Sequence, residues 1–102
     1  MAATPEAKVK KAVRKGLDHL IKAGRKIYYH MPVMNGMGRP TLDFIGCIDG
    51  RYFAIETKAP GKTPTPIQQG TIDEISAAGG VVLVIATDDS EEVSACLAML
   101  LR

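Results

Sequence analysis

Asp49-Gly50 stands between two apolar runs, Leu42 to Ile48 and Arg51 to Lys58. A two-residue type I′ turn needs positive φ at both central positions, which Asp-Gly supplies, so this dipeptide is the strongest short-range hairpin signal in the chain. The turn also sets the register. With Ile48 facing Arg51, each step back along the first strand meets a step forward along the second, and Asp43 comes opposite Glu56. Counting from the closing pair makes these two a non-hydrogen-bonded pair on one face, with Cα atoms about 4.5 Å apart. Lys58, two residues further, shares that face.

Like charges opposed across a strand pair are destabilising, so a hairpin that places them there is expected to neutralise them. Two carboxylates converging beside a lysine suit a hard divalent cation, Mg²⁺ or Mn²⁺, which takes oxygen ligands and keeps waters that a phosphate can displace. The other reading is a same-face Glu56–Lys58 ion pair with Asp43 merely beginning a strand.

The 102 residues form one expected domain, 1–102, long enough for a single core. With 46% hydrophobic and 24% charged residues the composition is that of a globular protein, and the net charge of +2 says little about partners. Its distribution says more: Lys8, Lys10, Lys11, Arg14, Lys15, Lys22, Arg25 and Lys26 crowd the first 26 positions against Glu6 and Asp18. Cys47 and Cys96 have no metal-type spacing and make no disulfide framework, which points to a reducing compartment. No apolar signal-peptide core opens the chain and no run approaches the roughly 20 residues needed to cross a bilayer, so a soluble, cytoplasmic protein without membrane contact is expected.

Thr4-Pro5 has the form of a helix start, and Val9, Val13, Leu17, Leu20 and Ile21 recur at helical spacing to about Ala23, with Gly24 as the stop. Lys26 to Val33 reads as a strand and the hairpin follows; Tyr28 and Tyr29 of the first strand and Tyr52 of the hairpin are candidate core residues. Thr65, Pro66 and Gln68 make a capping box for a second helix running to Ala78. The apolar run Val81 to Ala86 reads as a strand buried on both faces. Asp88-Asp89-Ser90 caps a last helix carrying Val93, Leu97, Leu100 and Leu101 on one side. The order α-β-β-β-α-β-α predicts an α/β fold, a mixed central sheet flanked by helices, with the hairpin in the middle and a crossover that permits a parallel fourth strand.

That order, with Asp43 and the Glu56-Thr57-Lys58 triplet, resembles the PD-(D/E)XK nuclease superfamily. Gly38-Arg39-Pro40, Glu56-Thr57-Lys58, Thr65-Pro66-Ile67-Gln68 and Gly79-Gly80 before an apolar strand together resemble the VRR-NUC (virus-type replication-repair nuclease) family, across nearly the whole chain and most closely its small stand-alone phage-encoded members. Fused members tend to have Pro and Asp adjacent, whereas Thr41 and Leu42 separate Pro40 from Asp43 here. Asp49 is the neighbouring rival, but it belongs to the turn.

The resemblance implies that Asp43 and Glu56 bind metal, with the Thr57 carbonyl as a further ligand, and that Lys58 orients or deprotonates the attacking water. It matches Gln68 to a glutamine approaching the site, though a capping box accounts for Gln68 equally, and Glu6 to a first-helix glutamate reaching the metal, though the helix dipole alone favours an acid there. The implied activity is Mg²⁺- or Mn²⁺-dependent hydrolysis of DNA phosphodiesters, selective for structures such as Holliday junctions, by a homodimer in the cytoplasm of a bacterial host. Lys8, Lys11, Lys15, Arg39 and Lys62 are the candidate backbone contacts. The competing expectations are a non-catalytic DNA-binding or assembly module and a flap or restriction-type nuclease. His19 reads as a surface residue, while His30 is placed to reach the site from the first strand. Gly36-Met37-Gly38-Arg39 precedes a strand rather than a helix, which argues against a nucleotide cofactor and for a substrate-facing loop.

Overall fold

A computed structural model describes residues 3–33 and 38–101. Helix α1 (Pro5–Lys22) starts where expected, with the Thr4 hydroxyl accepting from the Ala7 N–H at 3.1 Å, and buries Val9, Val13 and Leu17. Strands β1 (Ile27–His30), β2 (Phe44–Ile48) and β3 (Arg51–Thr57) follow as an antiparallel meander. Asp49 and Gly50 have φ of 49° and 81°, the left-handed pair that a type I′ turn requires, and Ile48 faces Arg51. Helix α2 (Pro66–Ala77) leads back to β4 (Val81–Ile85), which runs parallel to β3. Helix α3 (Ser90–Leu97), capped by Asp89, passes into a 3₁₀ turn over Ala98–Leu101.

The sheet order is β1-β2-β3-β4, so the hairpin occupies the middle. Helices α1 and α3 cover one face, over Phe44, Ile48, Phe53, Ile55, Leu83 and Ile85. Helix α2 lies on the other, where Ile72 packs with Leu42 and Ala54. Each fully buried Phe, Leu or Ile contributes about 1.5 to 3 kcal/mol relative to exposure, so the thicker α1/α3 layer dominates the stability. Gly46 lets β1 and β2 approach: a Cβ there would stand 1.9 Å from the Tyr28 carbonyl oxygen.

Three expectations need correction. Strand β1 stops at His30, whose ladder partner is Ile45, rather than at Val33, and Pro32, which has no N–H to donate, follows two residues later. Strand β4 is not buried on both faces: Val84 is 42% exposed, since β4 is an edge strand and α2 shields only part of that side. Of the strand tyrosines only Tyr29 joins the core, while Tyr28 and Tyr52 stand exposed on the face that α2 leaves open. Gly36 and Met37 of the Gly36 to Arg39 loop lie outside the described residues. Among the described residues no helix is long and apolar enough to cross a membrane.

Candidate active site

Strand β3 ends by carrying charge into the interior. Apolar Phe53, Ala54 and Ile55 are followed by Glu56, 3% exposed, Thr57, fully buried, and Lys58, 9% exposed. Alternation along the strand puts Glu56 and Lys58 on one side, and Oε2 of Glu56 lies 3.9 Å from Nζ of Lys58. The Lys58 N–H donates to the Ile85 carbonyl at 3.0 Å, which pins this end of the chain to β4.

Asp43 stands one residue before β2, so the ladder ends at Phe44 and Ile55 and the expected Asp43–Glu56 ladder pair does not form. The cause is local. Continuing the register would have given the Thr57 N–H to Leu42, but Oδ2 of Asp43 accepts it instead at 3.0 Å, together with the Thr57 hydroxyl at 2.6 Å. A charge-assisted acceptor outcompetes a neutral carbonyl for the same donor, and Leu42 is released to pack under α2. The two carboxylates still interact. Burial, then the charge of Asp43, raises the Glu56 carboxyl from about 4.5 to about 7, against the lowering effects of Lys58 and of the Asp43 backbone N–H.

Helix α1 completes the site. Its half-buried Glu6 adds a further repulsive contribution at Glu56. Lys10, one turn on, places Nζ 3.7 Å from Oδ1 of Asp43. Glu6, Lys10, Arg14 and Met31 line a depression of about 310 Å³ on this flank of the helix. Lys10 is not marked out by any sequence motif, although its position four residues after Glu6 on the flank of the inward stripe is a usable signal.

Of the residues expected at the site, Asp43, Glu56, Thr57 and Lys58 are brought together, with Glu6 within electrostatic range. Gln68 is committed to its helix: Oε1 accepts from the Thr65 N–H at 2.9 Å and the Thr65 hydroxyl accepts from the Gln68 N–H at 3.2 Å. No hydrogen bond among the described residues ties it to the acidic pair. Arg39, 82% exposed at its side chain, pairs with Glu74 at 2.5 Å, and Lys62 is exposed. Lys8, Lys11 and Lys15 lie along a groove between α1 and α3, as does the exposed His19. The exposed His30 ring sits 6.3 Å from that of Tyr28. Among the described residues no cluster of three or more His, Cys, Asp or Glu side chains is arranged to hold a metal ion.

No protein-family model matches the chain, and no curated protein matches it either. A solved structure described as a VRR_NUC domain superposes with a TM-score of 0.73, at 18% identity, covering 94% of this chain and 97% of that one. The correspondence spans nearly the whole of both chains, and this protein accordingly has the fold of a VRR_NUC domain, in the α-β-β-β-α-β-α order expected from the sequence.

Proposed function

We propose that the protein is a metal-dependent, structure-selective DNA endonuclease that hydrolyses phosphodiester bonds in branched DNA such as Holliday junctions. One observation carries the reading: a buried glutamate and a buried lysine lie side by side at the end of a central strand, facing an aspartate whose charge adds to that of the glutamate. Burying charge in this way costs stability, and a cation at the acidic pair relieves that cost.

The donor set fits such an ion. Asp43 and Glu56 offer hard carboxylate oxygens, with the Thr57 carbonyl and Glu6 as further ligands, and Mg²⁺ or Mn²⁺ completes its shell with water. When bound, the ion supplies Lewis acidity and a water of lowered pKa. The chain's own residues do the rest. Lys58 presents a fixed ammonium donor where charge develops on the phosphate oxygens, in a site its burial keeps poor in water. Thr57 holds the Asp43 carboxylate through two donors, so the pair is oriented before substrate arrives. Gln68 is assigned a contact on the approaching substrate. Lys8, Lys11, Lys15, Arg39 and Lys62 track the backbone, a salt-dependent contribution without sequence preference. A homodimer in the host cytoplasm would set two such sites about a two-fold axis, suited to paired cuts across a junction.

The second reading, a non-catalytic DNA-binding or assembly module, is favoured by the finding that among the described residues Glu6 is not gathered with Asp43 and Glu56 into a ready three-carboxylate metal cluster. Purified protein incubated with Mn²⁺ and labelled linear, flapped and four-way DNA separates the readings. Cutting concentrated on the four-way junction, abolished in Asp43→Ala and Lys58→Ala, is the expected result. Metal-independent junction binding without cutting would establish the module, and preferential cutting of flaps or linear duplex would reassign the substrate.

A further inference from the structure

The basic residues of α1 do not form one solvated stripe. Lys10 and Arg14 lie on the flank that looks into the site-side depression, whereas Lys8, Lys15 and His19 lie on the opposite flank, along a groove of about 450 Å³ between α1 and α3. Lys11 borders both. Cationic side chains therefore run without interruption from the candidate active site, over the exposed back of the helix, into a second cleft.

The cleft is built for an extended anion. One wall carries Lys8, Lys15 and His19, and the other carries the hydroxyls of Ser90 and Ser94. Asp88 is the single acid on its lining. Among the described residues Lys8, Lys11 and Lys15 take part in no ion pair, while the other pairs consume Lys10, Arg25, Arg39 and Lys58. At 1.5 Å per residue Lys8 and Lys15 stand about 10 Å apart along the helix axis, a span over which a B-DNA strand, rising 3.4 Å per nucleotide, presents about three phosphates. The mouth of the cleft at Asp88 and Ser90 follows directly on β4, whose Ile85 carbonyl holds the Lys58 backbone. Groove and site thus open at the same end of the sheet.

The geometry points to the α1/α3 groove as a second nucleic-acid track: a strand leaving the site crosses α1 at Lys11 and lays its phosphates between the Lys8/Lys15 wall and the serines of α3. This deepens the nuclease reading and rests on it for the direction of the strand, but it concerns binding, which can be measured without cleavage. Such a substrate needs a flanking arm, because the width of a helix separates groove from site.

The test is the salt dependence of binding to a labelled duplex-armed DNA in Ca²⁺, read by fluorescence anisotropy. Lys8→Gln/Lys15→Gln is expected to reduce the slope of log affinity against log salt by about 2, near 0.9 for each phosphate no longer neutralised. The charge-matched Lys22→Gln/Lys26→Gln, off the groove, is expected to leave it unchanged. Ser94→Glu, which puts a carboxylate on the other wall, is expected to weaken binding as Lys8→Gln/Lys15→Gln does, and circular dichroism checks that each variant is folded. Equal effects of the two lysine pairs, an unchanged slope, no DNA binding by the parent protein, or a groove-dependent preference for a polyglutamate peptide over DNA would each overturn the assignment. Cutting by the parent with a groove-independent slope sinks the groove alone, and groove-dependent binding without any cutting sinks the nuclease reading alone.

Discussion

At the scale of single residues, two charges set the behaviour of the site. Glu56 titrates near 7 in the folded chain against about 4.5 when unperturbed. The folded state therefore binds the extra proton, and folding is more favourable at low pH and loses stability as pH climbs from about 4.5 to 7. Glu56→Gln removes that loss. Thermal unfolding of the metal-free protein should show the variant stabilised on the order of 3 kcal/mol at pH 8 and unchanged near pH 4.5, and a parallel pH profile for the two proteins would refute the assignment. Lys10 acts on the other carboxylate. Its ammonium at 3.7 Å occupies the electrostatic place a metal would take beside Asp43. Replacing it by Met should tighten Mn²⁺ binding several-fold by isothermal titration, in the range expected when one half-exposed charge near an ion is removed; weaker binding would show instead that Lys10 organises the ligands.

Elements explain why some expectations held and others moved. Helix α2 begins after Thr65 because a reciprocal cap satisfies two end groups there, and either partner is worth about 1 kcal/mol. Gln68 thus has a structural task independent of chemistry. Gln68→Glu preserves the cap, since Glu serves equally at that position, so its melting temperature should match that of the parent while Gln68→Ala is destabilised by about 1 kcal/mol. If Gln68→Glu also leaves junction cleavage unaltered, the residue only caps, whereas a loss of rate at constant stability places it at the substrate. The hairpin illustrates the same economy. Its turn dictates register up to Phe44 and Ile55, and the ladder then yields to a side chain, because Asp43 offers Thr57 a better acceptor than the main chain does.

For the molecule as a whole, the site is a local deficit that the α1/α3 layer has to carry. A chain of this size shifts its melting temperature by roughly 4 to 8 °C per kcal/mol, and a ligand that binds only the native state adds about 2.7 kcal/mol at a hundred times its dissociation constant. Saturating Mn²⁺ at pH 8 should therefore raise the melting temperature by more than about 10 °C, and the rise should vanish in Asp43→Ala. A Mn²⁺ effect retained in that variant would place the ion elsewhere.

Everything short-ranged is legible in the chain itself. The Asp49-Gly50 turn, the caps at Thr4, Thr65 and Asp89, the inward stripe of α1, the register up to Phe44 and Ile55 and the Glu56–Lys58 pair two residues apart follow from sterics and hydrogen bonding within a few residues or across one tight hairpin. The exposure of Tyr28, Tyr52 and Val84, the arrival of Lys10 and the division of the α1 lysines between two clefts were settled elsewhere. Each depends on which surfaces the helices cover once the sheet is assembled, and that is decided by contacts between segments far apart in the chain, which no local pattern encodes.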